Sequence, residues 1–150
     1  VKNQRRVFLQ SFLGGLAGIV TGVFIQPLRA LAAWPAELFN AADIKGALGG
    51  NEATATGEIN LKAPDIAENG AVVPVTVETN LSNVETITIL VKENQRPLSA
   101  VFILGPGVQP NISTRIKMAK TSEVIAVVKS GDKRLSASKE VKVTIGGCGG

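Results

Sequence analysis

Residues 71–91, AVVPVTVETNLSNVETITILV, decide the fold. Val73, Val75 and Val77 alternate with Pro74 and Thr76, and Ile87, Ile89 and Val91 recur at the same interval of two. That period buries one face of a β-strand and leaves the other to solvent. Between the two runs, Asn80–Asn83 is a polar turn segment. Upstream, Ile59 and Leu61 show the same alternation. Downstream it returns at Ile116 and Met118, at Val124, Ala126 and Val128, at Leu135 and Ala137, and at Val141, Val143 and Ile145. Ala100–Leu104 is a short continuous apolar run. Turn-rich segments punctuate the series at Glu68-Asn69-Gly70, Asn94–Pro97, Gly105–Asn111 and Ser130-Gly131-Asp132. No helical period falls between the runs, which argues against parallel βαβ units. The expectation is an all-β fold, an antiparallel immunoglobulin-like β-sandwich of about seven strands. Pro74 has no N–H to give to a ladder, so it is expected at an edge or a bulge. The run from Leu135 to Ile145 is long for one flat strand and is expected to bend near Ser138.

Ahead of the strands, Pro35 suits the first turn of a helix, where its missing N–H costs nothing. Leu38, Ala41, Ala42, Lys45 and Leu48 follow at helical spacing, and Gly49-Gly50 is a stop. This predicts one short helix over Pro35–Leu48, then a loop over Asn51–Thr56. Residues 33–145 are thus read as a short helix plus a sandwich.

Residues 1–32 read as an export signal. A basic start (Lys2, Arg5, Arg6) precedes an apolar run from Val7 to Ile25. Pro27, Arg29 and the small-residue pattern Ala30-Leu31-Ala32 complete the three-part form, with cleavage expected after Ala32. Arg5-Arg6 followed by Val7-Phe8-Leu9 is similar to a twin-arginine signal. Gly14, Gly15, Gly18 and Gly22 soften the apolar run, although Gln4 departs from the usual serine or threonine. The run is also about long enough to span a bilayer as an uncleaved anchor; the cleavage pattern favours export to the periplasm with no stable membrane anchoring afterwards.

The charge balance supports this division. The chain carries 16 basic and 12 acidic residues, a formal net charge of +4. Lys2, Arg5, Arg6 and Arg29 lie within the first 32 residues, which hold no acid, so the remainder is neutral. A nucleic-acid partner would require an excess of cationic side chains to displace counterions, so none is expected. The sequence has no histidine. That excludes a Ser-His-Asp triad, a Cys-His dyad and a His-bearing zinc site within this chain.

The one cysteine, Cys148, sits in Gly146-Gly147-Cys148-Gly149-Gly150. Glycines on both sides deny the segment side-chain packing and free its backbone. An odd cysteine in an exported protein implies an intermolecular bond or a reactive thiol. An incidental thiol and a structural disulfide to another chain remain open at this point. Prenylation needs one more residue after the cysteine than the sequence offers. A third reading accounts for the glycines: residues 146–150 form a slim arm that threads a channel and carries a covalent intermediate on Cys148. An unperturbed thiol is only a few per cent ionised at neutral pH, and Lys142 and Lys139 lie back on the strand, so activation would come from a partner.

Three segments now carry a resemblance. They are Ala67-Glu68-Asn69-Gly70-Ala71-Val72-Val73-Pro74-Val75, Ser113-Thr114-Arg115-Ile116-Lys117-Met118-Ala119, and Val143-Thr144-Ile145-Gly146-Gly147-Cys148-Gly149-Gly150. With the leader, they make the chain similar to the SoxY family, sulfur-carrier subunits of the bacterial thiosulfate-oxidising system. The resemblance implies a non-catalytic carrier without a cofactor of its own, with Cys148 as the covalent sulfur-binding residue. It implies a heterodimer with a SoxZ-like subunit. It also implies a haem-containing enzyme that loads thiosulfate, a dimanganese hydrolase that releases sulfate, and a molybdenum-haem sulfane dehydrogenase that oxidises the remaining sulfur. Two rivals compete. A thiol-disulfide oxidoreductase or sulfurtransferase would need a CxxC, a histidine or a structured pocket. An exported structural or interaction β-domain, cross-linked through Cys148, explains the sandwich and not the glycines.

Overall fold

The two alternating runs of residues 71–91 become strands in different sheets. The computed structural model describes residues 35–145. A 3-10 turn at Ala36–Asn40 and a helix α1 at Ile44–Ala47 precede nine strands. These are β1 (Thr54–Ala55), β2 (Ile59–Lys62), β3 (Ile66–Ala67), β4 (Val73–Thr79), β5 (Val84–Val91), β6 (Leu98–Ile103), β7 (Asn111–Ile116), β8 (Ser122–Ser130) and β9 (Lys133–Val143). One sheet has the order β2-β4-β7. The other runs β1-β9-β8-β5-β6, with β3 also paired to β9. The seven longer strands pair with one another only in antiparallel fashion. Lettered as in an immunoglobulin domain, they give A-B-E in one sheet and G-F-C-C′ in the other. The expected class and strand number therefore hold.

The core is the set of residues that alternation selected. Val73, Val75 and Val77 from one sheet meet Ile87, Ile89, Val91, Val124, Ala126, Val128 and Val141 from the other, all nearly inaccessible to solvent. Each such aliphatic side chain contributes about 1.5–3 kcal/mol on burial. The opposite face of the larger sheet is covered as well. Leu90, Leu98 and Val127 pack there with Ala47, and Leu38, Ala41, Ile44 and Leu48 lie against them. A two-residue turn, Gly131-Asp132, joins β8 to β9, and the positive φ of 57° at Gly131 suits the first position of a type II′ turn.

The structure differs from the sequence expectation in several details. The single helix over Pro35–Leu48 is broken in two. Ala41 is extended (φ −62°, ψ 137°), and Asp43 caps a fresh turn by accepting from the Gly46 N–H at 2.6 Å. Aspartate satisfies orphan amides better at a cap than it serves a helix interior. Of the residues at helical spacing, Leu38, Ala41 and Leu48 pack against the sheet, while Ala42 and Lys45 are exposed. β1 falls where a loop was expected, and β1 and β3 run parallel to β9, not antiparallel. They lie along an edge of β9 that would otherwise present unpaired amides, and strands of two residues have no period to read. β7 begins at Asn111 and ends at Ile116, so Met118 is fully buried from beyond the strand. Pro74 sits in β4, the middle strand. β2 pairs with β4 only from Thr76 to Thr79, so at Pro74 the sole neighbour is β7 and the position is locally an edge. The β8–β9 register continues past Ser138 without a shift.

Candidate functional site

Cys148, Gly146, Gly147, Gly149 and Gly150 lie outside the described residues, as do Arg5, Arg6 and the rest of the leader. What the structure describes is the root from which residues 146–150 continue. β9 ends at Val143, but its hydrogen bonding does not. Lys142 N–H donates to the Asp65 carbonyl at 2.9 Å and Thr144 N–H to the Ala67 carbonyl at 3.1 Å. The Thr144 hydroxyl donates to the Glu68 carbonyl at 3.1 Å, and Gly70 N–H donates to the Ile145 carbonyl at 2.9 Å. From the other side, Val143 N–H donates to the Thr121 hydroxyl at 2.9 Å. Each residue from Lys142 to Ile145 is therefore held by a hydrogen bond through its main chain, three of them to backbone partners and that of Val143 to a side-chain hydroxyl.

The segment that grips the root is Ala67–Val72, and the sequence explains its shape. Asn69-Gly70 is a turn signal, and the Asn69 side-chain oxygen accepts from the Ala71 N–H at 2.8 Å. The turn is tied in turn to the β7–β8 link, where Met118 N–H donates to the Gly70 carbonyl at 2.7 Å. Asn94 straddles that link, donating to the Lys117 carbonyl at 2.8 Å and accepting from the Ala119 N–H at 3.0 Å. The three segments that carried the resemblance are far apart in sequence, and the fold brings the ends of all three to one place. Thr121 and Asn94 gave no functional signal in the sequence. Asn94 was legible only as part of a turn.

Two ion pairs lie near this end. Lys139 donates to the Asp65 carboxylate at 2.9 Å and to the Ala63 carbonyl at 2.6 Å. Lys120 meets Glu93 at 3.0 Å. The Ser138 hydroxyl, with help from Lys92, holds the Glu123 carboxyl below the usual carboxylate range, against the upward push of partial burial. Among the described residues, no three of His, Cys, Asp and Glu stand together as a metal site.

A concavity lies at the opposite end of the sandwich from the root. It is an open groove of about 810 Å³, lined by Glu58, Asn60, Glu78, Thr79, Leu81 and Asn111 among others. β4 runs from the root at Val73 to this groove at Thr79, roughly 20 Å at 3.2–3.4 Å per residue. Lys62 donates to Glu78 there at 2.6 Å, and Asn60 to the same oxygen at 3.1 Å. None of the described residues that line the groove carries a thiol or an imidazole.

Comparison with known proteins bears on the root. A comparison with curated proteins gives no match. One solved structure, the sulfur carrier protein SoxY from Chlorobium limicola f thiosulfatophilum, is 43% identical, covering 66% of this chain and 91% of that chain with a TM-score of 0.58. Another, a study of T cell specificity and activation by the bacterial superantigen toxic shock syndrome toxin-1, is 14% identical. It covers 56% of this chain and 99% of that chain at a TM-score of 0.37, and nothing is drawn from it. The family model described as sulfur oxidation protein SoxY matches residues 44–148. That match takes in the whole sandwich and its root and reaches Cys148, and with it the chain belongs to the SoxY family of sulfur oxidation proteins.

Proposed function

We propose that this chain is a covalent sulfur carrier, with Cys148 holding thiosulfate-derived sulfur on an arm formed by Gly146, Gly147, Gly149 and Gly150. The observation that carries the reading is the reach of the family match to the chain's one cysteine, three residues beyond a root in which consecutive residues are held by hydrogen bonds. The chemistry requires a thiol. Loading joins the Cys148 sulfur to the outer sulfur of thiosulfate, releasing one proton and two electrons; the haem-containing enzyme implied by the resemblance would take the electrons. Water then cleaves the sulfur–sulfonate bond on a hydrolase, leaving a persulfide on Cys148 and sulfate in solution. A serine hydroxyl forms no sulfur–sulfur bond, so it cannot substitute. The domain itself supplies no acid, base or metal for either step in this reading, and the partners do. A SoxZ-like subunit is the proposed companion, pairing with this domain as a heterodimer.

Cys148→Ser should fold and pair normally, because the cysteine lies outside the core. It should abolish thiosulfate-dependent turnover in a reconstituted system. Intact mass of the wild type, incubated with thiosulfate and the loading enzyme, should show an S–SO₃ adduct on the peptide holding Cys148. Residual turnover by the serine variant, or adducts mapped elsewhere, would overturn the reading.

The leader supports a periplasmic location. Changing both Arg5 and Arg6 to Lys should stop export by the twin-arginine route. Normal appearance of that double variant in the periplasm would remove this part of the proposal.

A further inference from the structure

Six large apolar side chains stand exposed among the described residues: Phe39, Ile66, Val72, Ile103, Val108 and Ile145. Single exposed apolar residues are ordinary and call for no explanation. Three of these six, however, lie in or beside the segments bonded together at the root. Ile66 precedes Ala67, whose carbonyl holds Thr144, and it is paired with Lys142 in the parallel β3–β9 ladder. Val72 follows the turn whose Gly70 holds Ile145, and its own N–H closes on the Asn69 carbonyl at 3.4 Å. Their exposures are 59% for Ile66, 53% for Val72 and 68% for Ile145. The core does not use them, and the backbone bonds fix where they are presented.

Distance gives the patch its occupant. Cys148 is three residues past Ile145. Three extended residues span at most about 10–11 Å. An enzyme that reacts with this thiol below its own surface must bring that surface nearly against Ile145. The contact falls on whatever surrounds the root. From the carrier reading above, on which this rests, we infer that Ile66, Val72 and Ile145 form an apolar collar that docks the channel mouth of enzymes acting on Cys148. The partner surface that fits is an apolar rim around an opening wide enough for glycine backbone. The collar adds contact where the arm alone offers little side-chain area. It is also small, which suits a carrier that must leave each enzyme: interfaces well below about 1,200 Å² are typical of transient encounters. Because the root is already ordered, little entropy is lost in presenting it.

The test uses the full chain with its partner subunit, thiosulfate and the haem-containing loading enzyme. Ile66→Lys combined with Val72→Lys leaves the arm untouched and changes only exposed side chains. Thermal unfolding and the reaction of Cys148 with a small maleimide should match the wild type. The KM for the carrier in loading should rise about tenfold, the ratio that 1.4 kcal/mol of lost contact gives, with kcat little changed. Ile66→Ser with Val72→Ser, which adds no charge, should raise it less, and it stands in if the lysines disturb unfolding. Inserting six Gly/Ser residues between Ile145 and Gly146 lets the thiol reach without close docking, so the lysine pair should then cost nothing further. A wild-type KM for both substituted pairs overturns the collar, and so does a lysine penalty that survives the insertion. If Cys148→Ser is inactive while both pairs load normally, the collar alone fails. If Cys148→Ser turns over, the carrier reading fails with it.

Discussion

The two ends of the sandwich invite opposite readings. One end has an open groove of about 810 Å³ with two carboxylates and several amides on its walls. The other has, among the described residues, a strand end held by successive hydrogen bonds, with Ile66, Val72 and Ile145 exposed in or beside the bonded segments. A search for a pocket would choose the groove, because reacting molecules usually need enclosure. A carrier inverts that rule. Its chemistry takes place inside other proteins, so its own task is to hold the base of an arm firmly and to present a surface that others can grip. On the function proposed above, rigidity at a strand end is the functional feature and the groove takes no part.

The comparison breaks most visibly at Met118. It is fully buried beyond the end of β7, and its N–H supports the Gly70 carbonyl that lies behind the root. Met118→Ala should cost about 2–5 kcal/mol of stability, the range for deleting a buried Met side chain. Denaturant unfolding would measure it. Hydrogen exchange at Gly70 and Thr144 should quicken by more than at Thr79, at the groove end. Equal acceleration at the two ends would mean that Met118 serves the sandwich as a whole and has no special tie to the root.

Glu78 tests the other side. It accepts from Lys62 and Asn60 at the mouth of the groove, with the lysine side chain 57% exposed and the glutamate 32%. Exposed ion pairs contribute about 0.2–1 kcal/mol, so Glu78→Gln should lower stability by no more than that. It should leave the loading of Cys148 unchanged. A loading defect in this variant would show that the groove takes part, and the contrast between the ends would fall.

The sequence conveyed the core far better than the root. Val73, Val75, Val77, Ile87, Ile89 and Val91 were legible because the strand period and the burial pattern coincide. Cys148 was legible because it is the only thiol and glycines flank it. The root was not. Ala67, Glu68, Gly70 and Ile145 take part through main-chain atoms, and a backbone carbonyl looks the same whichever side chain it carries. Only Asn69-Gly70 left a trace, as a turn. Ile66 and Val72 gave no sign of exposure, since each sits next to an apolar residue that does turn inward. The helix was half legible: of the residues at helical spacing Leu38, Ala41 and Leu48 do pack together, but Ala42 and Lys45 are exposed and Asp43 caps a fresh turn that the spacing did not signal.

The smallest effect expected at the root end is one of pH. Glu123 lies at the start of β8, next to Ser122, which is paired with Val141 near the end of β9. Its carboxyl is held below the usual range first by the Ser138 hydroxyl and then by Lys92, which donates to it at 3.4 Å, while burial opposes them. A carboxyl whose folded pKa is lowered favours the folded state when ionised. Its contribution is therefore complete above the unfolded value, near 4.5, and is lost as pH falls through the folded value. The side chain is 37% exposed, so solvent screens the pair and the contribution should stay below about 1 kcal/mol. Glu123→Gln should thus be slightly less stable than the wild type at neutral pH, with a constant difference down to about pH 5. Below that the two unfolding curves should converge as the wild-type carboxyl protonates. Denaturant midpoints taken at closely spaced pH values would follow the convergence. A difference that widens towards acid would mean that Glu123 opposes folding when ionised, and the link between β8 and Ser138 of β9 would then not be one that helps to hold the root.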